Sequence, residues 1–234
     1  MRLDKWLAHG TGLSRQQVQR AVREGSVCVN GAVVRHPAQH VQAQDAVTLD
    51  GQAVQVPAQR YLMLHKPPGY LCATTDGDHP TVLDLLDRAD RHGHWQIAGR
   101  LDLDTTGLVL LTDDGAWNHR VTSPTRACHK TYRVQLANPL DEAAATRLQQ
   151  GILLHGEHKP TRPATLEYRG DNRTCVWLTI QEGKYHQVKR MFAAVGNHVT
   201  ALHRERIGAI TLDAGLAPGS YRALNADEIA SVAR

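Results

Sequence analysis

The segment Gly99-Arg100-Leu101-Asp102-Leu103-Asp104-Thr105-Thr106-Gly107 runs directly into Leu108-Val109-Leu110-Leu111. The second half has the length and aliphatic content of a buried strand. The first half carries an arginine, two carboxylates and two threonines before a glycine. A polar loop fixed to the start of a buried strand is a rigid platform for a reactive side chain. The plainer alternative is a surface turn whose Asp and Thr residues satisfy their own backbone.

A chain of 234 residues fits one medium domain or a small domain followed by a larger one. Hydrophobic residues make up 41%, enough for a core, and with a single Phe that core should be aliphatic. The formal charge of +4 permits a polyanionic partner without requiring one. Cys28, Cys72, Cys128 and Cys175 are far apart and form no C-x-x-C pair. This spacing argues against a structural zinc site and against a disulfide scaffold, and points to reduced thiols. The opening Met1-Arg2-Leu3-Asp4-Lys5 has no apolar signal core, and no later run reaches membrane-spanning length. The expectation is a soluble cytoplasmic protein.

Residues 1–55 read as a separate module. Leu3, Trp6 and Leu7 fall at helical spacing, and Ser14 with Gln17 forms a capping-box signature for a second helix to Glu24, closed by Gly25. Val27 and Val29 precede Asn30-Gly31, a hairpin turn signal, and Val47 and Leu49 precede Asp50-Gly51. Up to Gln44 the module holds Arg2, Lys5, Arg15, Arg20, Arg23 and Arg35 against Asp4 and Glu24. The stretch from Gln52 to Arg60, with Pro57, reads as connecting chain, and the linker is set at 56–60.

Residues 61–234 read as a larger domain. Strands are expected at 61–65, 108–111, 130–136, 174–180 and 207–212. Lys66-Pro67-Pro68-Gly69 ends the first of these, because proline removes donors and fixes φ. Helices are expected at 81–86, 116–121, 140–150 and 186–195, with a last one capped by Asn225 and Glu228. Helices and strands mix without βαβ alternation. The predicted class is α+β: a small module of two helices plus short strands, then a domain with a mixed, largely antiparallel sheet and flanking helices.

The Arg100-Leu101-Asp102 triplet followed by Thr, Gly and aliphatics resembles the signature of the pseudouridine synthases, and the likeness to the bacterial small-subunit rRNA enzymes, the RsuA family, runs over essentially the whole chain. It includes Lys66-Pro67-Pro68-Gly69, His129-Lys130-Thr131-Tyr132, the run Gly183-Lys184-Tyr185-His186-Gln187-Val188-Lys189-Arg190-Met191-Phe192, and His203-Arg204-Glu205-Arg206-Ile207-Gly208. The resemblance implies that Asp102 is the catalytic carboxylate and that Tyr132 packs against the target base and takes part in proton transfer. A basic residue should pair with the aspartate. Lys189 is assigned here, where many relatives carry Arg, with Arg190 as the alternative. Arg100 is expected to hold phosphate or fill the space left by a flipped base, and Ile207 to lie against the base. The first module resembles the RNA-binding module of a small-subunit ribosomal protein, which assigns Arg2, Lys5, Arg15, Arg20 and Arg23 to RNA phosphates.

The implied reaction converts one uridine of 16S rRNA, at position 516 in the usual rRNA numbering, to pseudouridine, on free RNA or on a partly assembled small subunit. It needs no cofactor, and a monomer is expected. Asp102 and Asp104 can share a face, yet no third carboxylate is near apart from the Asp113-Asp114 turn. No metal site is therefore expected, and Asp104 should brace the loop through Thr105 or a backbone amide. His92 with His94 and His155 with His158 are read as surface-loop residues rather than ligand pairs. Two alternatives stay open at this point: a pseudouridine synthase for 23S rRNA, and a non-enzymatic RNA-binding assembly factor. A metal-dependent nuclease is a weaker third.

Overall fold

Helix α1 (Leu3–Thr11) buries Leu3 and Leu7, and helix α2 (Arg15–Glu24) buries Val18 and Val22. In this computed structural model, which describes residues 1–42, 44–55, 58–91, 93–123, 128–168 and 172–232, the chain forms two compact units, Met1–Ala58 and Gln59–Arg234. In the first unit, the Ser14 hydroxyl accepts from Gln17 N–H while the Gln17 side chain accepts from Ser14 N–H, so the predicted cap of α2 is present. Strands β1 (Val27–Val29), β2 (Ala32–Val33), β3 (Val47–Leu49) and β4 (Gln52–Ala53) form a sheet in the order β2-β1-β3-β4. Asn30 and Gly31 (φ 52° and 81°) and Asp50 and Gly51 (φ 48° and 78°) make its two hairpin turns, with positive φ at both central residues. Strand β4 corrects the reading of Gln52 and Ala53 as connecting chain: two unbroken residues after an Asp-Gly turn are enough to pair.

The second unit runs in chain order through β5 (Tyr61–Lys66), α3 (Arg88–Arg91), β6 (Gln96–Ala98), β7 (Thr106–Thr112), α4 (Gly115–Thr122), β8 (Lys130–Leu136), α5 (Glu142–Gln150), β9 (Thr165–Tyr168), β10 (Cys175–Ile180), α6 (Gln187–Ala193), β11 (Val199–Ile207), β12 (Ile210–Thr211), β13 (Tyr221–Ala223) and α7 (Ala226–Ser231). Its sheet has the order β13-β5-β7-β11-β8-β10-β9, with β6 added to β7 and β12 to β11. Only the β7–β11 pair is parallel, so the sheet is mixed and largely antiparallel, as expected.

Strand β7 explains the unbroken aliphatic run. Leu108 and Leu110 enter one core cluster with Met63, Trp117, Val121 and Ile207, while Val109 and Leu111 enter another with Leu62, Leu64, Val134 and Leu178. Both faces are covered, so neither set of alternate positions can be polar. At the start of β7 the backbones of two strands nearly touch. Gly107 has φ 107°, and a Cβ there would lie 2.3 Å from the Arg204 carbonyl oxygen of β11.

Three expectations are corrected. Residues 207–212 are not one strand: Ile207 ends the nine-residue β11, the chain turns at Gly208, and β12 pairs back. Two register shifts in β11 and its polar residues break the alternation that reveals a strand in sequence. Residues 82–85 form a 3-10 turn, with the Asp84 carboxylate accepting from the Thr81 N–H and hydroxyl. Strands β9 and β13 are short and were not foreseen. Among the described residues no helix is long and apolar enough to cross a membrane.

Candidate active site

Residues 99–105 form a loop whose backbone is pinned almost atom by atom. Arg204 Nη2 and Nη1 donate to the carbonyls of Gly99 (2.5 Å) and Arg100 (3.3 Å). Leu101 N–H points to Cys72 Sγ at 3.2 Å, and Thr105 N–H closes a turn on the Asp102 carbonyl at 3.1 Å. The Leu103 carbonyl accepts from Gly69 N–H (2.9 Å) and from Lys66 Nζ (3.0 Å), which also donates to Thr105 O at 2.8 Å and Pro67 O at 3.1 Å. Lys66 is fully buried and its ammonium is held by carbonyls alone. Burial pushes its pKa below the usual lysine range. The Pro-Pro-Gly turn after Lys66 thus brings Gly69 and the lysine itself under the loop.

Asp102 sits half-buried on this platform. His186 Nε2 is 3.4 Å from one carboxylate oxygen and Lys189 Nζ is 3.8 Å from the other. The Lys189 ammonium lies nearer to Asp104, at 2.6 and 2.7 Å, and this hydrogen bond holds the Asp104 carboxyl below the usual carboxylate range. Lys189 is therefore shared between two aspartates, with the shorter contacts to Asp104. The expected bracing of the loop by Asp104 through Thr105 is not found: the buried Thr105 hydroxyl has no hydrogen-bond partner among the described residues. Arg190, the alternative partner of Asp102, instead reaches Glu157 at 3.3 Å and the carbonyls of Tyr185 and His155. One helical position moves a side chain about 100°, so Lys189 and Arg190 leave α6 in different directions.

Two neighbouring cavities meet here. One of about 580 Å³ is lined by Leu71, Cys72, Arg100, Asp102, Tyr185 and His186, among others. The second, about 320 Å³, is lined by Arg100, Lys130, Tyr132, Glu182 and Arg204, among others. Arg100 and Gly183 border both. Arg100 is exposed and its guanidinium has no hydrogen-bond partner among the described residues. Tyr132 is buried on β8, and its phenol oxygen accepts from Arg204 Nη1 at 3.4 Å.

Sequence reasoning missed the depth of positive charge in this second cavity. Arg204 is 1% exposed and Lys130 9% exposed, and neither makes a salt bridge among the described residues. Arg204 also donates from Nε to the Leu108 carbonyl at 2.9 Å, and Lys130 Nζ to the Cys128 carbonyl at 3.0 Å. Burial lowers the pKa of Lys130. A buried cation held by uncharged oxygens keeps much of its charge uncompensated, so the cavity favours an electron-rich occupant. His186 was missed as a neighbour of Asp102. Its place just before a helical run is a usable signal, since it caps α6 in a left-handed conformation (φ 47°).

Ile207 is corrected. It is completely buried among Met63, Leu108, Leu110 and Trp117 and lines neither of these cavities. In the first unit Arg15, Arg20 and Arg23 are exposed on α2. Arg20 is paired with Glu24 at 2.7 Å, and Arg2 with Asp4 at 2.6 Å, while Lys5, Arg15 and Arg23 make no salt bridge among the described residues. His92 lies outside the described residues. Among those described, no cluster of His, Cys, Asp or Glu is arranged to hold a metal ion.

Comparison with known proteins gives one consistent answer. The family profile described as RNA pseudouridylate synthase matches residues 60–194, and that of the S4 domain matches residues 1–47. The chain is 54% identical over 235 residues to the Ribosomal small subunit pseudouridine synthase A of Escherichia coli K12, covering 99% of this chain and all of that one. It is 47% identical over 230 residues to the protein of the same name from Haemophilus influenzae, with 98% of each chain covered. A crystal structure titled as a pseudouridylate synthase superposes with a TM-score of 0.71 at 45% identity over 99% of both chains. With residues 60–194 matched to that profile and near-complete overlap with these relatives, the chain belongs to the RNA pseudouridylate synthase family and carries an S4 domain before its synthase domain.

Proposed function

We propose that this protein converts one uridine of 16S rRNA, the uridine 516 type site, to pseudouridine, with Asp102 as the catalytic carboxylate. The observation that carries the reading is the pinned loop 99–105. It presents one carboxylate between His186 and Lys189, beside a cavity walled by Tyr132, Lys130 and Arg204. The small-subunit assignment rests on relatives named as ribosomal small subunit pseudouridine synthases, which match nearly end to end.

The reaction is an isomerisation. The C1′–N1 bond breaks, the base turns, a C1′–C5 bond forms, the C5 proton leaves and a proton is delivered to N1. A flipped-out uridine is required, since none of these atoms is reachable in a stacked helix. Asp102 opens the C1′–N1 bond. His186 and Lys189 flank it and fix its direction. Breaking C1′–N1 leaves an electron pair on the base, spread onto its carbonyl oxygens. Lys130 and Arg204 supply preorganised positive charge beside it, which is worth more in a buried site than in water. Tyr132 lies against the base and relays a proton. Arg100, at the border of both cavities, holds backbone phosphate. The half-buried Lys5 and the exposed Arg15 and Arg23 of the first unit add sequence-independent affinity for RNA.

The test incubates wild type and Asp102→Asn with 16S rRNA, with a partly assembled small subunit and with 23S rRNA, and maps pseudouridine by chemical-adduct primer extension. One new stop at uridine 516 with wild type, absent with Asp102→Asn, is expected. A stop in 23S rRNA alone would move the substrate to the large subunit. No stop on any substrate would leave only RNA binding.

A further inference from the structure

Tyr185 is the one exposed aromatic residue among those described, with 76% of its surface open in a chain that holds only 4 Trp, 6 Tyr and 1 Phe. A ring so exposed contributes little to a core. Yet its surroundings are ordered by many contacts. Its ring stacks on His186 with centroids 3.8 Å apart and planes within 18°. Its carbonyl accepts from Arg190 Nη1 at 2.9 Å. On one side, the Lys184 N–H is held by the Gln187 side chain and the Lys184 ammonium by Glu157 at 2.7 Å. On the other, His186 takes a left-handed backbone conformation with φ 47°, a geometry kept only where neighbours impose it.

The stacked pair also lies where a nucleic acid must pass. Tyr185 and His186 both line the cavity that holds Asp102, and His186 Nε2 lies 3.4 Å from that carboxylate. One face of the tyrosine is covered by the imidazole, and the phenol is otherwise open. Nucleobases stack on such rings regardless of sequence, because every base has a π-face.

We propose that Tyr185, backed by His186, is a stacking platform for the nucleobase adjacent to the target uridine. This rests on the reading of the protein as an RNA-modifying enzyme. When the target base leaves its helix, a neighbour loses its own stacking partner. Tyr185 replaces that partner at the mouth of the cavity and keeps the RNA strand open there. The residue is a positioning residue: it binds the flanking base and leaves the bond changes to Asp102.

Two measurements test this. The first uses short target RNAs with 2-aminopurine placed on either side of the uridine, bound to Asp102→Asn so that no turnover intervenes. Fluorescence quenching at one flank is expected, and its loss when Tyr185→Ala is added. The second measures steady-state kinetics on otherwise wild-type protein. Tyr185→Ala and Tyr185→Leu should raise KM by about 5- to 150-fold, the equivalent of one lost base stack, with kcat within about twofold. Tyr185→Phe and Tyr185→Trp should stay near wild type. Equal KM values for Leu and Tyr, or quenching that survives Tyr185→Ala, would overturn the platform. If wild type forms no pseudouridine at all, the functional reading fails, while the quenching experiment still decides the platform. Thermal melting of each variant separates loss of stacking from loss of fold, and Tyr185→Leu, which removes the ring but keeps apolar bulk, repeats the quenching test should the alanine variant melt early.

Discussion

The two units of this protein use the same residue types in opposite ways. In the first, Lys5, Arg15, Arg20 and Arg23 sit on or near the surface of helices whose apolar faces do the folding. In the second, Lys66, Lys130 and Arg204 are buried, and carbonyl groups hold them: Pro67, Leu103 and Thr105 for the first, Cys128 for the second, and Gly99, Arg100 and Leu108 for the third. An exposed cation adds affinity for phosphate in small, salt-sensitive and replaceable steps. A buried cation satisfied by backbone fixes the path of a loop, and its removal leaves several acceptors unpaired at once. The comparison teaches that charge count says little about role. Burial and the identity of the acceptors separate cations that face solvent from cations that hold a loop in place.

The sharpest way to break this contrast is Arg204→Met. It leaves the Gly99, Arg100 and Leu108 carbonyls without their donor, and each unpaired buried group costs about 1–3 kcal/mol. A loss of about 3 kcal/mol or more is expected, which lowers the melting temperature by roughly 6–12 °C for a chain of this size. Little change in thermal denaturation would show that the loop is held by other contacts.

Next in size is the response to pH. Burial lowers the pKa of Lys66 and of Lys130 relative to the unfolded chain. The unfolded state therefore holds these protons more tightly. In the window between folded and unfolded values, their contribution to stability rises with pH as the buried charge is relieved. Activity should go the other way. As the buried ammonium groups lose their charge, kcat should fall on the alkaline side, beginning below the usual lysine value of about 10.4. Lys66→Arg, whose guanidinium stays charged, should move that fall to higher pH. An unshifted profile for Lys66→Arg assigns the fall to Lys130.

Smaller effects are expected at the surface. Replacing Lys5, Arg15 and Arg23 together by Gln should weaken RNA binding and reduce the slope of log K against log salt by about 1 per cation lost. The melting temperature and the kcat at saturating RNA should not change. A changed kcat would mean that these residues position the substrate as well as attract it. The smallest effect belongs to Arg20→Gln. Glu24 already neutralises that guanidinium, so the loss of affinity should be less than for Arg15→Gln or Arg23→Gln in the same filter-binding titration.

Much of the fold was legible because local signals agreed with one another. The Ser14–Gln17 and Asn225–Glu228 capping boxes, the Asn30-Gly31 and Asp50-Gly51 turns, and strand β8 all stand where the residues place them. Strand β11 did not show itself, since its bulges shift the alternation and a buried arginine occupies a position where an aliphatic residue is expected. At the site, Asp102 stands out as a carboxylate at the mouth of a buried strand. The division of Lys189 between Asp102 and Asp104, the approach of His186, and the departure of Arg190 toward Glu157 depend on where α6 lies over the loop, 85 residues away in sequence from Asp104.

Caps, turns and apolar runs act over a few residues, and they specify the two-part organisation, the α+β class, the buried strand β7 and the loop that carries Asp102. The tertiary structure alone decided which cations are buried, which carboxylate each basic group faces, and that Ile207 belongs to the core rather than to a cavity. Those outcomes are set by distances between segments far apart in the chain. Burial, hydrogen bonding and pKa depend on all the neighbours that such distances bring together.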